Sequence, residues 1–334
     1  MRRAPLVTTL VLATAVSVVA QSPRAPGAAA PSYADVKPGS ITYEDVAYPF
    51  PVQYLAFTTY GQDVRMAYMD VPPAGRPNGR AVVLFHGMNF GGYYWGDAAN
   101  MLAKEGFRVV ITDQIGFGRS SKVVIPYNFS DMALNTRRIL QHLSLAKVSV
   151  VGHSMGGMLA ARFSTQYPNM VERIVIYNPI GLNDSRFDRP ASTVDEAYKR
   201  NLNATYEQLG SSYHRYFSHN ESAWKPEYEQ WIRQRYAMTL SSDFPRLAMV
   251  QALLGQMTYN DPVVYDWAHI KAPTFVYGGR EDGPGFAERM KHIAETIPNG
   301  KARLHLIPNL GHVPHFEAPE QFYPPLIAFL KEGL

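Results

Sequence analysis

Val148-Ser149-Val150-Val151-Gly152-His153-Ser154-Met155-Gly156-Gly157 is a β-branched run that passes, through a serine set between glycines, into the helix-forming run Met158 to Tyr167. The pattern G-x-S-x-G between a strand and a helix describes a nucleophile elbow, a tight turn that lifts one hydroxyl out of the sheet. Its chemistry explains its composition. The serine must accept strained backbone angles, and small residues two positions to either side let strand and helix approach each other. The N-terminus of the following helix then lies under any negative charge that develops at the serine.

A nucleophilic serine needs a base, and the base needs an acid to orient it. In a chain order of Ser, Asp, His, the acid follows a late strand and the histidine follows the last one. The run Thr274 to Gly279 is followed by Arg280-Glu281-Asp282-Gly283, and the run Arg303 to Pro308 by Asn309-Leu310-Gly311-His312. Asp282 and His312 are therefore the expected partners of Ser154, with Glu281 and His315 as their rivals. Tetrahedral oxyanions also need two backbone N–H donors. Met155 supplies one by position, and the glycine-rich loop His86-Gly87-Met88-Asn89-Phe90-Gly91-Gly92 supplies the other, with Met88 preferred. His86 is read as a ring that hydrogen-bonds this loop into shape.

Outward from the elbow, short apolar runs alternate with amphipathic stretches, the pattern of a mostly parallel sheet covered by helices. Residues 53–59 and 64–71 form an opening hairpin, and strands are expected at 81–87, 108–113, 148–152, 173–178, 274–279 and 303–308. The last six are continuous apolar runs, as strands buried on both faces require. Helices are expected near 95–105, 130–145, 155–167, 284–297 and 319–332. From Gly181 to Lys271 no strand is visible, yet aromatics are dense from Tyr198 to Tyr236. A structureless loop of that length does not occur in a compact domain, so 181–271 is expected to be a helical cap that lines an apolar pocket with some of those rings.

Together these motifs resemble the α/β-hydrolase superfamily, and in particular its capped members: esterases, haloperoxidase-like perhydrolases, lactonases and C–C bond hydrolases. The resemblance runs from about residue 52 to 332 and rests on HGM at 86, DQIGFGRSS from Asp113, GHSMGG at 152, YGGREDG before Asp282 and GHVPHFEAPEQF from Gly311. It implies an α/β fold with an eight-stranded, mostly parallel sheet, built from residues 41–180 and 272–334. It also implies a triad of Ser154, Asp282 and His312 with Met88 and Met155 as oxyanion donors, and a structural turn at Asp113, Gly116 and Gly118. The pair Gly116 and Gly118 lacks the third glycine of a dinucleotide site. Serine at 154 disfavours the epoxide hydrolases and haloalkane dehalogenases of this fold, which use aspartate.

Composition narrows the rest. The chain has 334 residues with 46% apolar and 18% charged, enough to bury a sizeable core. Cysteine is absent, which excludes disulfides, thiolate metal sites and a cysteine nucleophile. With no metal-ligand pattern such as H-E-x-x-H, neither a metal nor a cofactor is expected. The net charge of +4 is spread singly along the chain, so nucleic acid is not an expected partner. Residues 1–20 read as an export signal, with Arg2 and Arg3 ahead of an apolar stretch and Val18-x-Ala20 as the cleavage site. That stretch is short of the ~20 residues a membrane helix needs, so no stable anchor is expected. Residues 21–40, rich in Pro, Ala and Gly, read as a flexible linker. The sum is an exported bacterial serine hydrolase, periplasmic or secreted, cleaving an ester or lactone of a small to medium apolar substrate. A C–C bond hydrolase of a vinylogous diketone and a slow-turnover ligand-binding receptor are the alternatives.

Overall fold

The computed structural model describes residues 33–333. The expected signal peptide and most of the expected linker lie outside the described residues. The linker's end is not a free tether: Gly39 N–H donates to Ala237 O at 2.8 Å, and a Cβ at Gly39 would meet that of Ala237 at 2.9 Å.

Strands β1 (Gln53–Thr59) and β2 (Gln62–Val71) form the hairpin, followed by β3 (Ala81–Phe85), β4 (Arg108–Thr112), β5 (Val148–His153), β6 (Val171–Tyr177), β7 (Thr274–Gly279) and β8 (Ala302–Ile307). They make one eight-stranded sheet of order β1-β2-β4-β3-β5-β6-β7-β8. Only the β1–β2 and β2–β4 pairs are antiparallel. Every residue of β3, β5 and β7 is buried, as their unbroken apolar runs require when helices cover both faces. The last strand departs from expectation. β8 is the edge of the sheet, and of its residues only Ile307 is buried, with Arg303, Leu304 and His305 exposed. The alternation of charged and apolar residues in Arg303-Leu304-His305-Leu306 fits an edge better than a doubly covered strand.

Helices α1 (Gly96–Lys104), α2 (Phe129–His142) and α3 (Met155–Gln166) cross between the first strands. The long insertion after β6 carries α4 (Val194–Leu202), α5 (Tyr206–His214), α6 (Glu229–Thr239) and α7 (Phe244–Asn260), and is called the cap below. Its first two helices start at capping boxes, Thr193 with Glu196 and Thr205 with Gln208, each pair satisfying two otherwise orphaned backbone donors. After the cap come α8 (Phe286–Thr296), α9 (Pro314–Glu317) and α10 (Pro319–Lys331). Ile41, Tyr43 and Val46 pack on Met238, Phe244, Leu247 and Ala248, so the stretch before β1 helps to build the cap's own core.

None of the nine aromatics from Tyr198 to Tyr236 lines the cavity that runs from Met88 to Tyr259. Most are spent on packing. Tyr228 stacks on Trp231 with centroids 4.4 Å apart and on Phe217 at 5.3 Å. Trp231 meets Phe90 and Phe316 of the core. Rings this large are the cheapest way to give a short insertion a core.

Candidate active site

Ser154 sits between β5 and α3 at φ 57° and ψ −119°, a conformation L-residues rarely adopt. The flanking glycines are what permit it. A Cβ at Gly152 would lie 2.0 Å from Gly156 O, and one at Gly156 would lie 2.3 Å from Phe85 O, so strand, turn and helix touch through bare backbone. The turn is held by Ser154 N–H donating to Tyr177 O at 3.0 Å and Gly157 N–H donating to Ser154 O at 2.9 Å.

His312 and Asp282 reach Ser154 from loops after β8 and β7. Ser154 Oγ is 3.0 Å from His312 Nε2, and His312 Nδ1 is 2.7 Å from Asp282 Oδ2. With the carboxylate accepting from Nδ1–H, the free lone pair of the ring falls on Nε2, facing the hydroxyl. The two rivals lie elsewhere. Glu281 is exposed, whereas His315 is buried at the start of α9, with Nδ1 against the Tyr177 hydroxyl.

The loop after β3 comes to the same place. A Cβ at Gly87 would stand 3.2 Å from Ser154 Cβ, so only glycine lets the loop pass there. Among the described residues, neither the Met88 nor the Met155 backbone N–H has a protein acceptor. Two histidines fix this loop. His86 Nε2 accepts from Gln114 N–H at 3.2 Å, which makes Nδ1 the donor to Gly87 O at 2.9 Å. Gly87 N–H donates to Tyr94 Oη at 3.1 Å, and that hydroxyl donates to His153 Nδ1 at 3.0 Å. His153 Nε2–H then donates to His312 O at 2.9 Å. Burial, reinforced by the neighbouring His312 and His315, holds His153 far below the usual imidazole range, as a neutral linking ring requires.

Sequence reasoning missed Asn178, directly after β6 and buried at φ 37°. Its amide donates to Asp282 Oδ2 at 2.9 Å, Gly279 O at 3.2 Å and Gly311 O at 3.3 Å, while its oxygen accepts from Gly279 N–H at 2.8 Å. One side chain thus ties the acid loop to the histidine loop. The available signal was an asparagine ending an apolar strand, since asparagine tolerates positive φ. On the far side Asp113 accepts from Gly92 N–H, from Tyr48 Oη at 2.6 Å and from Arg119 N–H at 2.8 Å, and a Cβ at Gly118 would strike its carboxylate. Asp113, Gly116 and Gly118 therefore build a turn.

A cavity of ≈ 380 Å³ meets the site at Met88 and Asn89 and runs under the cap, past Gly116, Leu247 and Leu254 to Tyr259. Ser154 is not in its wall; the contact is through the Gly87–Asn89 loop. The cavity mixes apolar side chains, among them Met88, Phe117, Leu247 and Leu254, with basic ones. Lys122, Arg189, Arg200 and Arg235 line it, and no acid does. Lys122 is buried with Nζ donating to the carbonyls of Phe117, Gly118 and Ser120, and burial pushes its ammonium down to about 7. Arg235 on α6 has no carboxylate within ion-pair distance among the described residues, only Asn89 Oδ1 at 3.2 Å and a ring of tyrosines. Burial opposes its charge, but the hydroxyls of Tyr213, Tyr43, Tyr93 and Tyr216 outweigh that and the net shift is upward. Among the described residues no cluster of three or more acids and histidines is arranged to hold a metal, and no helix is long and apolar enough to cross a membrane.

A serine raised on such a turn, at the carboxyl ends of a mostly parallel eight-stranded sheet, defines the class of protein. The chain matches the family model described as alpha/beta hydrolase fold over residues 80–319; it belongs to that family and is a hydrolase. It is similar to a probable hydrolytic enzyme from Pseudomonas aeruginosa, with 36% identity, a TM-score of 0.83, and coverage of 90% of this chain and 100% of that one. It is also similar to a 2-hydroxy-6-oxononadienedioate/2-hydroxy-6-oxononatrienedioate hydrolase from Burkholderia vietnamiensis, 27% identical over 84% of this chain and 95% of that protein. A thermophilic esterase from Thermogutta terrifontis shares 25% identity and a TM-score of 0.65 over 84% of this chain and 98% of its own.

Proposed function

We propose that the protein is a serine hydrolase that cleaves an ester or lactone of a carboxylate-bearing molecule through an acyl-enzyme on Ser154. The observation that carries this is the unbroken line Ser154 Oγ, His312 and Asp282, at 3.0 and 2.7 Å, beside two unpaired backbone donors. His312 Nε2 takes the Ser154 proton as Oγ attacks the carbonyl carbon, and the Asp282 carboxylate stabilises the imidazolium. The oxyanion falls to Met88 and Met155 N–H, in a site where fixed dipoles need no reorganisation. His312 then protonates the leaving oxygen. Water, activated by the same ring, releases the acid and restores Ser154.

The substrate's negative charge is argued from the cavity. Arg189, Arg200 and Arg235 line the cavity with no acid in its wall, a field that concentrates anions, and a partly buried guanidinium without a counter-charge is costly unless a ligand supplies one. A second reading, hydrolysis of a C–C bond in a vinylogous diketone acid, is favoured by the Burkholderia relative, which is named for a dioate. There the leaving group is a carbon stabilised as an enolate, and the same three side chains serve. Export to the periplasm or medium is part of the proposal and rests on the pattern of residues 1–20.

The test is a panel of p-nitrophenyl esters with neutral and carboxylate-ended acyl groups, lactones, and meta-cleavage diketone acids. The proposal expects the highest kcat/KM on an anionic ester or lactone. Turnover confined to the diketone acids establishes the second reading, and a burst without turnover on every member contradicts both.

A further inference from the structure

Three cap side chains converge on one residue of the loop that carries Met88. Asn89 Nδ2 donates to Tyr216 Oη at 2.7 Å, Asn89 Oδ1 accepts from Arg235 Nη1 at 3.2 Å, and Asn89 O accepts from Tyr213 Oη at 3.0 Å. Every hydrogen-bonding group of Asn89 except its N–H is thus held by residues more than a hundred positions away. On the other side of Met88, Gly87 is pinned by Tyr94 and by its approach to Ser154. Between these two anchored residues, Met88 N–H is left without a protein acceptor among the described residues.

The same tyrosine touches the base. The Tyr216 ring stacks on His312 with centroids 4.7 Å apart and planes 27° from parallel, and Tyr216 O accepts from His312 N–H at 3.3 Å. A Cβ at Gly311 would lie 2.6 Å from Tyr216 O, so glycine is needed there for the cap to come down onto the histidine loop. The cap therefore grips both halves of the machinery through a single side chain.

We propose that Asn89 is a positioning residue for the Met88 oxyanion donor, and that the cap sets the donor's place through Tyr216 and Arg235. The proposal rests on the serine-hydrolase reading and adds to it a mechanical role for the cap in catalysis. Arg235 gains a double part. Arg235 Nη1 donates to Asn89 while the same side chain lines the cavity, so the group that meets the substrate's charge also steadies the donor. Full removal of an oxyanion donor costs about 10²- to 10³-fold in kcat, and a misplacement of about an ångström costs up to about 10²-fold.

Asn89→Ala and Tyr216→Phe separate this from a merely structural role. Both are assayed on a p-nitrophenyl ester for kcat and KM, and with a short alkyl trifluoromethyl ketone, whose adduct on Ser154 places an oxyanion in the same hole. Asn89→Ala is expected to lower kcat about 10- to 100-fold with KM within about threefold, and to raise the ketone's Ki by the same factor as kcat/KM falls. Tyr216→Phe keeps the stack on His312 and the Arg235 bond, so its loss runs in the same direction and is smaller. Should Asn89→Ala not fold, Tyr216→Phe carries the test, since it deletes one hydroxyl. Wild-type kcat and Ki in the variants overturn the proposal, and so does a fall in kcat without a matching rise in Ki. Failure of the underlying reading looks different: the wild-type enzyme itself then forms no adduct at Ser154, observed by ¹⁹F NMR of the ketone.

Discussion

Replacing Asn178 by alanine removes the side chain that joins the acid loop to the histidine loop. The Gly279 N–H loses its acceptor inside the protein, and a buried unpaired donor costs about 1–3 kcal/mol. The bond from Nδ2 to the Asp282 carboxylate is charge-assisted, which adds about 1.5–3 kcal/mol. Alanine at φ 37° carries a further penalty of about 1 kcal/mol relative to residues that tolerate that region. Summed, Asn178→Ala should destabilise the protein by about 3.5–7 kcal/mol, a fall in Tm of roughly 5–10 °C for a chain of this size. Asn178→Gly relieves the backbone part alone and should lie about 1 kcal/mol above alanine. Because Asp282 also loses its second support, kcat should drop roughly 10- to 100-fold in the fraction that stays folded. Thermal unfolding by circular dichroism, read beside ester hydrolysis at 20 °C below each variant's Tm, measures both. A Tm within 2 °C of wild type together with an unchanged kcat would refute the reasoning.

Two further outcomes follow from the cavity and the histidine loop. Arg235→Met keeps the volume but removes the charge, so the ratio of kcat/KM on an anionic ester to that on its neutral counterpart should fall at least ~10-fold, a charge-assisted bond being worth about 1.5–3 kcal/mol; an unchanged ratio removes Arg235 from substrate recognition. Burial pushes the Glu317 carboxyl, which accepts from Gly311 N–H at 3.0 Å, up to about 7. Between about pH 4.5 and 7 the native state then holds this proton while the unfolded chain has lost it, so this group's contribution to stability declines as pH rises through that window. Glu317→Gln should flatten the fall of Tm from pH 5 to pH 8, and an identical slope in wild type and variant contradicts the assignment.

Much of the architecture was legible because it follows from local rules. Doubly covered strands need unbroken β-branched runs, and Ala81–Phe85 and Val148–His153 show them plainly. The elbow was legible for the same reason: Gly152 and Gly156 are demanded by backbone contacts within a few residues of Ser154. His312 and Asp282 were reachable from strand order alone. What escaped depends on contacts distant in sequence and without period. Arg235, in Trp231-Ile232-Arg233-Gln234-Arg235, looks like one more solvated charge on a helix, and only the fold turns it toward Asn89. Tyr216 is one aromatic among nine, with nothing local to mark it as the ring over His312. The basic character of the cavity wall was hidden by the same blindness, since most of the cap's rings went into its own core and three of its arginines into that wall. In β8, charged residues already alternated in the sequence, but strand position in the sheet is not written in the strand.

The central claim is that Ser154 carries the acyl group while His312 and Asp282 move and steady its proton. It is tested most directly by rapid-quench mass spectrometry of the enzyme with a carboxylate-ended p-nitrophenyl ester. The account predicts that the acyl mass appears on the peptide containing Ser154, within the burst of p-nitrophenol, and that Ser154→Ala loses both the adduct and roughly 10⁴ to 10⁶ of kcat with its fold intact. Full turnover in Ser154→Ala, or an acyl group found on any other side chain, would contradict it.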